Sequence, residues 1–224
     1  MERIEVTPVL TMLRIGGWQA YLIDDGSERL LIDTGAPDGG AELLLACGTP
    51  DLVILTHCHV DHCGSAAAVH GRTGAPIAAG AADAEVIRGG LVATPPKFEE
   101  WELPLHQRVS ADLPPAAPPA PVDIELHGGE VLDVVGGAHI IATPGHTDGS
   151  VAVHLVSHGI LFTGDTVANV GEVTLGVFNR DRDRTAESFR TLAEIDCDTA
   201  CFGHGEPLAA GAAQCLRDAA ARLG

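Results

Sequence analysis

Positive charge is what this chain has least of: 13 Lys and Arg stand against 31 Asp and Glu in 224 residues, a formal net charge of −18. Nucleic acid and anionic membranes both bind through basic surface, so neither is expected as a partner. No apolar run approaches the roughly 18 residues of a membrane span. Residues 1–8 lack the basic start and long apolar core of a secretory leader. The six cysteines (Cys47, Cys58, Cys63, Cys197, Cys201, Cys215) are scattered without the spacing of a zinc knuckle. Reduced thiols in a cytoplasmic protein are therefore expected. The length suits one domain over 1–224, with apolar content enough for a core.

What is present is concentrated in Thr56-His57-Cys58-His59-Val60-Asp61-His62. Residues 51–55 before it are apolar and β-branched, which predicts a short buried strand. Residues 64–70 after it begin a helix. The histidines thus lie on a strand-to-helix turn at the carboxyl end of a strand, where α/β proteins place their chemistry. His57 and His59 are two apart and project to one side of an extended backbone. Asp61 and His62 follow as the chain bends, close enough for a second ion beside the first. Cys58, between the two histidines, is expected to point away into the core, and Cys63 likewise.

Along the rest of the chain the pattern predicts strands over 4–15 and 19–24, then a hairpin at Asp25-Gly26 into 29–33. Asp33, at the end of that strand, is either a solvated carboxylate or a group that orients a metal ligand. A helix over 42–47, a strand over 76–79 and a helix over 81–88 follow. Between 89 and 122 the composition changes, with eight of the fourteen prolines falling there. Proline removes amide donors, so this is no core strand. A long irregular segment inside a compact domain is often a cover over an active site. Strands resume over 123–126, 131–135, 138–142, 151–156 and 159–162, then a helix over 186–195, a strand over 199–202 and a closing helix over 208–223.

Four strands therefore end in histidine or aspartate: the first cluster, then His146, Asp165 and His204, each near glycine, which lets backbone approach a bound group. This ordered set, with Pro144-Gly145-His146-Thr147, Gly164-Asp165, Gly203-His204-Gly205 and the early Leu31-Ile32-Asp33-Thr34-Gly35, resembles the metallo-β-lactamase fold superfamily. The resemblance implies an α/β fold, a four-layer αββα sandwich, and a site for two metal ions. His57, His59 and His146 would hold the first, Asp61, His62 and His204 the second, and Asp165 would bridge them. Five imidazoles and two carboxylates suit two zinc ions, with iron or manganese also possible. Two divalent ions less two carboxylates and a hydroxide leave about +1 facing the substrate. Such a site lowers the pKa of water from about 15.7 to about 7, giving hydroxide for attack on a carbonyl, and Asp61 is a candidate proton carrier to the leaving group.

The expected activity is hydrolysis of a small-molecule ester, lactone or thioester, glyoxalase II-like or lactonase-like, by a monomer or homodimer. True β-lactamases of the family lack the aspartate matching Asp165, and its nucleases carry basic surface. Glyoxalase II adds a helical domain with basic residues after the last histidine, whereas twenty residues follow His204 here. Lactonases often place a tyrosine by the metals, but the one tyrosine is Tyr21, in an early strand. The alternative is an oxidoreductase similar to persulfide dioxygenases, which hold one iron through residues matching His57, His146 and Asp165. Trp18, Phe98, Trp101, Asn169 and Phe178 are candidate pocket residues, and His106 is the one remaining histidine placed in the cover.

Overall fold

The computed structural model describes residues 1–223. Residues 4–15, expected as one strand, fold back on themselves as β1 (Glu2–Thr7) and β2 (Leu10–Ile15), with Thr7 opposite Leu10. Pro8 supplies the reason: its ring presets φ for the second position of a tight turn and it has no amide to give to a ladder. β2 continues into β3 (Trp18–Asp24) and β4 (Arg29–Ile32), all antiparallel. From β4 onward the pairing turns parallel, through β5 (Leu52–Leu55), β6 (Ile77–Gly80) and β7 (Ile124–Leu126). Parallel neighbours need crossovers, and helices α1 (Gly40–Cys47), α2 (Val60–Cys63), α3 (Ala66–Thr73) and α4 (Ala81–Gly89) supply them.

The second sheet is built from β8 (Val131–Leu132), β9 (Ala138–Ala142), β10 (Val151–Leu155), β11 (Ile160–Phe162) and β14 (Thr199–Cys201), in the order β14-β11-β10-β9-β8. A small hairpin of β12 (Val167–Asn169) and β13 (Val173–Leu175) stands apart from it. Helices α6 (Arg182–Ala193) and α7 (Ala212–Ala220) belong to this half. α6 starts four residues before the expected position, because the Asp181 side chain caps it by accepting from Arg184 N.

Three apolar cores mark the interfaces between four layers. The central one joins the two sheets, with Met12, Ile23 and Ile54 packed on Phe162 and Val153. The second joins the first sheet to its helices through Val53, Leu55, Leu43 and Val69. The third joins the second sheet to α6 and α7 through Leu161, Phe189 and Leu216. β5 shows the pleat at work: Leu52 and Ile54 face the other sheet, while Val53 and Leu55 face the helices. Both faces are covered, so a continuous apolar run is what this strand requires. The arrangement is the αββα sandwich expected from the sequence.

The proline-rich stretch holds a helix that the sequence reading did not foresee, α5 (Glu102–Val109). Pro104 is tolerated there because it lies in the first turn, where its missing amide has no intrahelical partner. Glu102 is buried, and its carboxylate accepts from Glu99 N at 3.0 Å and Phe178 N at 3.1 Å. With Lys97 N donating to Asn179 O at 2.9 Å, the segment is tied to the loop before α6.

Candidate metal centre

The carboxyl ends of β5, β9, β11 and β14 converge at one end of the sandwich, and each hands the chain to a turn that carries a polar side chain inward. After β5 come His57 and His59, with Asp61 and His62 on α2; after β9, His146; after β11, Asp165; after β14, His204. All seven are brought together.

Their atoms face one another at distances hydrogen bonds cannot fully use. His59 Nδ1 lies 3.0 Å from His57 Nε2 and 2.9 Å from His146 Nε2. A single imidazole nitrogen can be matched with one of those neighbours, not both. Two nitrogens bound tetrahedrally to one zinc at about 2.05 Å are roughly 3.3 Å apart, close to what is seen. On the other side His62 Nε2 lies 3.4 Å from His204 Nε2, and Asp61 Oδ2 is 3.5 and 3.3 Å from those two atoms. Asp165 stands between, with Oδ1 3.4 Å from His62 Nε2 and Oδ2 3.2 Å from His204 and 3.5 Å from His146. Asp165 Oδ1 is buried and has no hydrogen-bond partner. A buried carboxylate oxygen aimed at imidazole nitrogens is a cation's environment.

Electrostatics divides the cluster in two. Burial, together with neighbouring imidazoles, pushes His57 well below the ordinary histidine range and His146 down to about 4; burial lowers His59 as well. These three are neutral and offer lone pairs. Burial also opposes charge on His62 and His204, but Asp165 and Asp61 outweigh it, raising His62 well above its usual range and His204 to about 10. For the carboxyls of Asp61 and Asp165 burial acts upward, yet His62 and His204 hold both well below the carboxylate range. This half draws positive charge.

Surrounding groups fix the rings. Asp33 is buried; its Oδ1 accepts from Thr56 N at 2.7 Å, and its Oδ2 faces Thr56 Oγ1 at 2.8 Å and His62 Nδ1 at 2.9 Å. A proton on His62 Nδ1 leaves Nε2 free toward the centre. Asp33 is thus no solvated strand end: it is buried and bonded to Thr56 and His62. Its φ of +58° is costly for a non-glycine residue, about 1–3 kcal/mol, and those bonds hold it there. Thr56 Oγ1 also lies 3.1 Å from His57 Nδ1, so Asp33 reaches His57 through Thr56. No partner is found for His146 Nδ1 among the described residues. Cys58 and Cys63 pack into the core behind the turn, where burial raises both thiols, Cys63 to about 12.

The family model described as the metallo-beta-lactamase superfamily matches residues 17–204. The chain belongs to that superfamily. Among curated relatives, it is 28% identical to the beta-lactamase-like protein 2 homolog of Drosophila melanogaster, over 86% of this chain and 60% of that one. It is 29% identical to a hydroxyacylglutathione hydrolase of Cereibacter sphaeroides, over 83% and 61%. With the atrochrysone carboxyl ACP thioesterase of Aspergillus fumigatus the figures are 27%, 86% and 52%. The chain thus spans about half to three-fifths of the length of these relatives. A subclass B3 metallo-beta-lactamase of Bradyrhizobium japonicum shares the fold, with a TM-score of 0.72 at 22% identity, covering all of this chain and 90% of that one.

What lies over the cluster differs from what lies beneath it. A cleft of about 1000 Å³ opens above Asp61, Asp165 and His204. Trp18, Phe98 and Phe178 line it, and His106 joins them, its ring centroid 4.7 Å from Phe98 and 5.0 Å from Phe178. Trp101 and Asn169 do not line it. Trp101 is about half exposed, and the Asn169 amide donates to Glu206 O. Tyr21 is buried between the sheets, its hydroxyl donating to Phe202 O.

Beneath the cluster lies Asp83, which the sequence motifs do not include. From the start of α4 its buried carboxylate accepts from Cys58 N at 2.9 Å, Thr147 Oγ1 at 2.7 Å and Gly149 N at 2.9 Å. It ties the His57–His59 turn to the His146 loop. Its partners lie 25 to 66 residues away, so no local pattern announces it. Asp83→Ala strands the buried Cys58 and Gly149 amides, while Thr147 Oγ1 can still turn to Ser150 Oγ at 2.8 Å; at about 1–3 kcal/mol per stranded donor, urea unfolding should show a loss of at least about 2 kcal/mol.

Proposed function

We propose that this chain is a binuclear metal-dependent hydrolase of a small ester, lactone or thioester, working in the cytoplasm with zinc. One observation carries the reading: two donor groups, one neutral and one cation-seeking, lie side by side and share Asp165. His57, His59 and His146 would hold one ion, and Asp61, His62 and His204 the other. Five imidazoles favour zinc. Six unpaired cysteines fit a reducing compartment.

Two divalent cations held there supply Lewis acidity toward a carbonyl and acidify a water. The chain's own residues do the rest. Asp33 and Thr56 keep Nε2 of His62 and His57 turned inward. His57 and His62 are sealed from solvent, while the side chains of Asp61 and His204 are 14% and 31% exposed, so substrate approaches from their side. Asp61 is ionised and faces the cleft, placed to take a proton and pass it to the leaving group. Segment 89–122 acts as the cover, bound to the rest of one domain at Lys97 and Glu102.

Metal analysis combined with a substrate panel tests this. Protein dialysed against zinc should retain two equivalents and cleave at least one ester, lactone or thioester. Well under two equivalents with no such activity overturns the proposal. So does a single iron accompanied by oxygen uptake on a persulfide.

A further inference from the structure

The walls of the cleft are lopsided in chemistry. On the floor sit Asp61, Asp165, His59 and His204; above them the surface is largely apolar, with His106, Thr94 and Ser110 among its few polar side chains. Leu105, Val109 and Leu113 come from the cover, Val177 and Phe178 from the loop before α6. Among the described residues, Arg14 is the only Lys or Arg lining the cleft. It is already held by Glu206 at 2.7 Å and Glu2 at 3.1 Å. A carboxylate or phosphate seated along this wall, away from the His/Asp floor, would lose water and meet no unpaired Lys or Arg among the described residues, while the net charge of −18 disfavours its approach.

The rim is apolar too. Val92 and Val170 line the cleft yet are 68% and 73% exposed, and Val109, which also lines it, is exposed too. Single exposed valines are ordinary, but three in the lining of one cleft give its approach an apolar character.

Resting on the hydrolase reading, we infer that the substrate is a neutral ester or thioester with a long apolar acyl group, lodged along the cover wall, and without an anionic group in the cleft. A volume near 1000 Å³ accommodates a group of that size. For a thioester, water's oxygen joins the acyl carbon, the carbon–sulfur bond breaks, and sulfur leaves as a thiol with a proton from that water. The acid product is anionic, and the apolar wall that holds the acyl chain offers its carboxylate no cation.

The test is a series of N-acetylcysteamine thioesters, which are neutral, from acetyl through butyryl and hexanoyl to octanoyl, with octanoyl-glutathione as the anionic counterpart. kcat/KM should rise about threefold per methylene as the chain is buried, and octanoyl-glutathione should fall at least tenfold below its neutral equivalent. Val170→Asp, on an exposed position that tolerates it, should cost the octanoyl substrate about tenfold more than it costs the acetyl substrate. A flat or falling length profile, or preference for the glutathione thioester, overturns the inference. Calorimetry with the uncleavable thioether analogues on metal-free protein separates it from the hydrolase reading. Binding that tightens with chain length supports the apolar cleft even if no thioester is turned over; binding indifferent to length refutes it.

Discussion

Asp165→Ala is expected to lower turnover by at least about three orders of magnitude and to leave one metal equivalent where two are proposed for the parent protein. Asp165 is the one carboxylate within 3.5 Å of imidazoles from both donor groups, reaching His146 on one side and His62 and His204 on the other. Without it, Asp61 alone supplies negative charge to the second ion, whose affinity falls most. Three orders of magnitude correspond to about 4 kcal/mol of transition-state stabilisation, a reasonable share for an electrostatic group of this kind. The fold should survive. Asp165 Oδ1 has no hydrogen-bond partner among the described residues, and removing a buried carboxylate removes its desolvation cost as well as its ion pairs. Circular dichroism of the metal-free variant should match the parent, and emission spectrometry should count the ions. An unfolded variant, or an active one with two metals, would contradict the role given to Asp165.

The centre was legible in the sequence because its parts are local. His57 through His62 occupy six positions at the end of an apolar strand, and the remaining donors follow recognisable strand ends beside glycine. The αββα layering was legible only through resemblance; strand periodicity does not say which sheet a strand joins. Other features escaped for definite reasons. The turn at Pro8 was hidden by apolar residues on both sides of it. α5 was hidden by proline, whose density rules out a strand but not a helix that starts just before Pro104. The β12–β13 hairpin is too short to carry a period. Asp83 and Glu102 matter through backbone amides distant in sequence, as ordinary surface carboxylates would not. Trp101 and Asn169 sit in the right segments, but the direction of a loop side chain is decided by packing that the sequence does not display.

A last expected result disturbs the centre without altering a ligand. Gly203 precedes His204 and has no positive φ that would forbid a side chain. Its N–H donates to Gly164 O at 3.0 Å, which pins it beside the turn that carries Asp165. A Cβ there would collide with Asp165 Oδ1 and come within 2.9 Å of His62 Cε1. Neither is a flexible chain end with somewhere to go: the carboxylate faces His62 and His204, and the His62 ring is tethered by Asp33. Gly203→Ala should therefore push Asp165 off its position and reduce activity by about 10²- to 10³-fold, in keeping with the sensitivity of such sites to displacements near 1 Å. The second ion should be lost at lower chelator concentration than in the parent. Gly71→Ala makes the same chemical change in α3, where a Cβ meets nothing within 4 Å. That variant should keep full activity and gain about 0.5–1 kcal/mol, because alanine loses less backbone freedom than glycine on entering a helix. If both variants behaved alike, the close packing of β14's end against Asp165 would not be what holds the two halves of the centre in register.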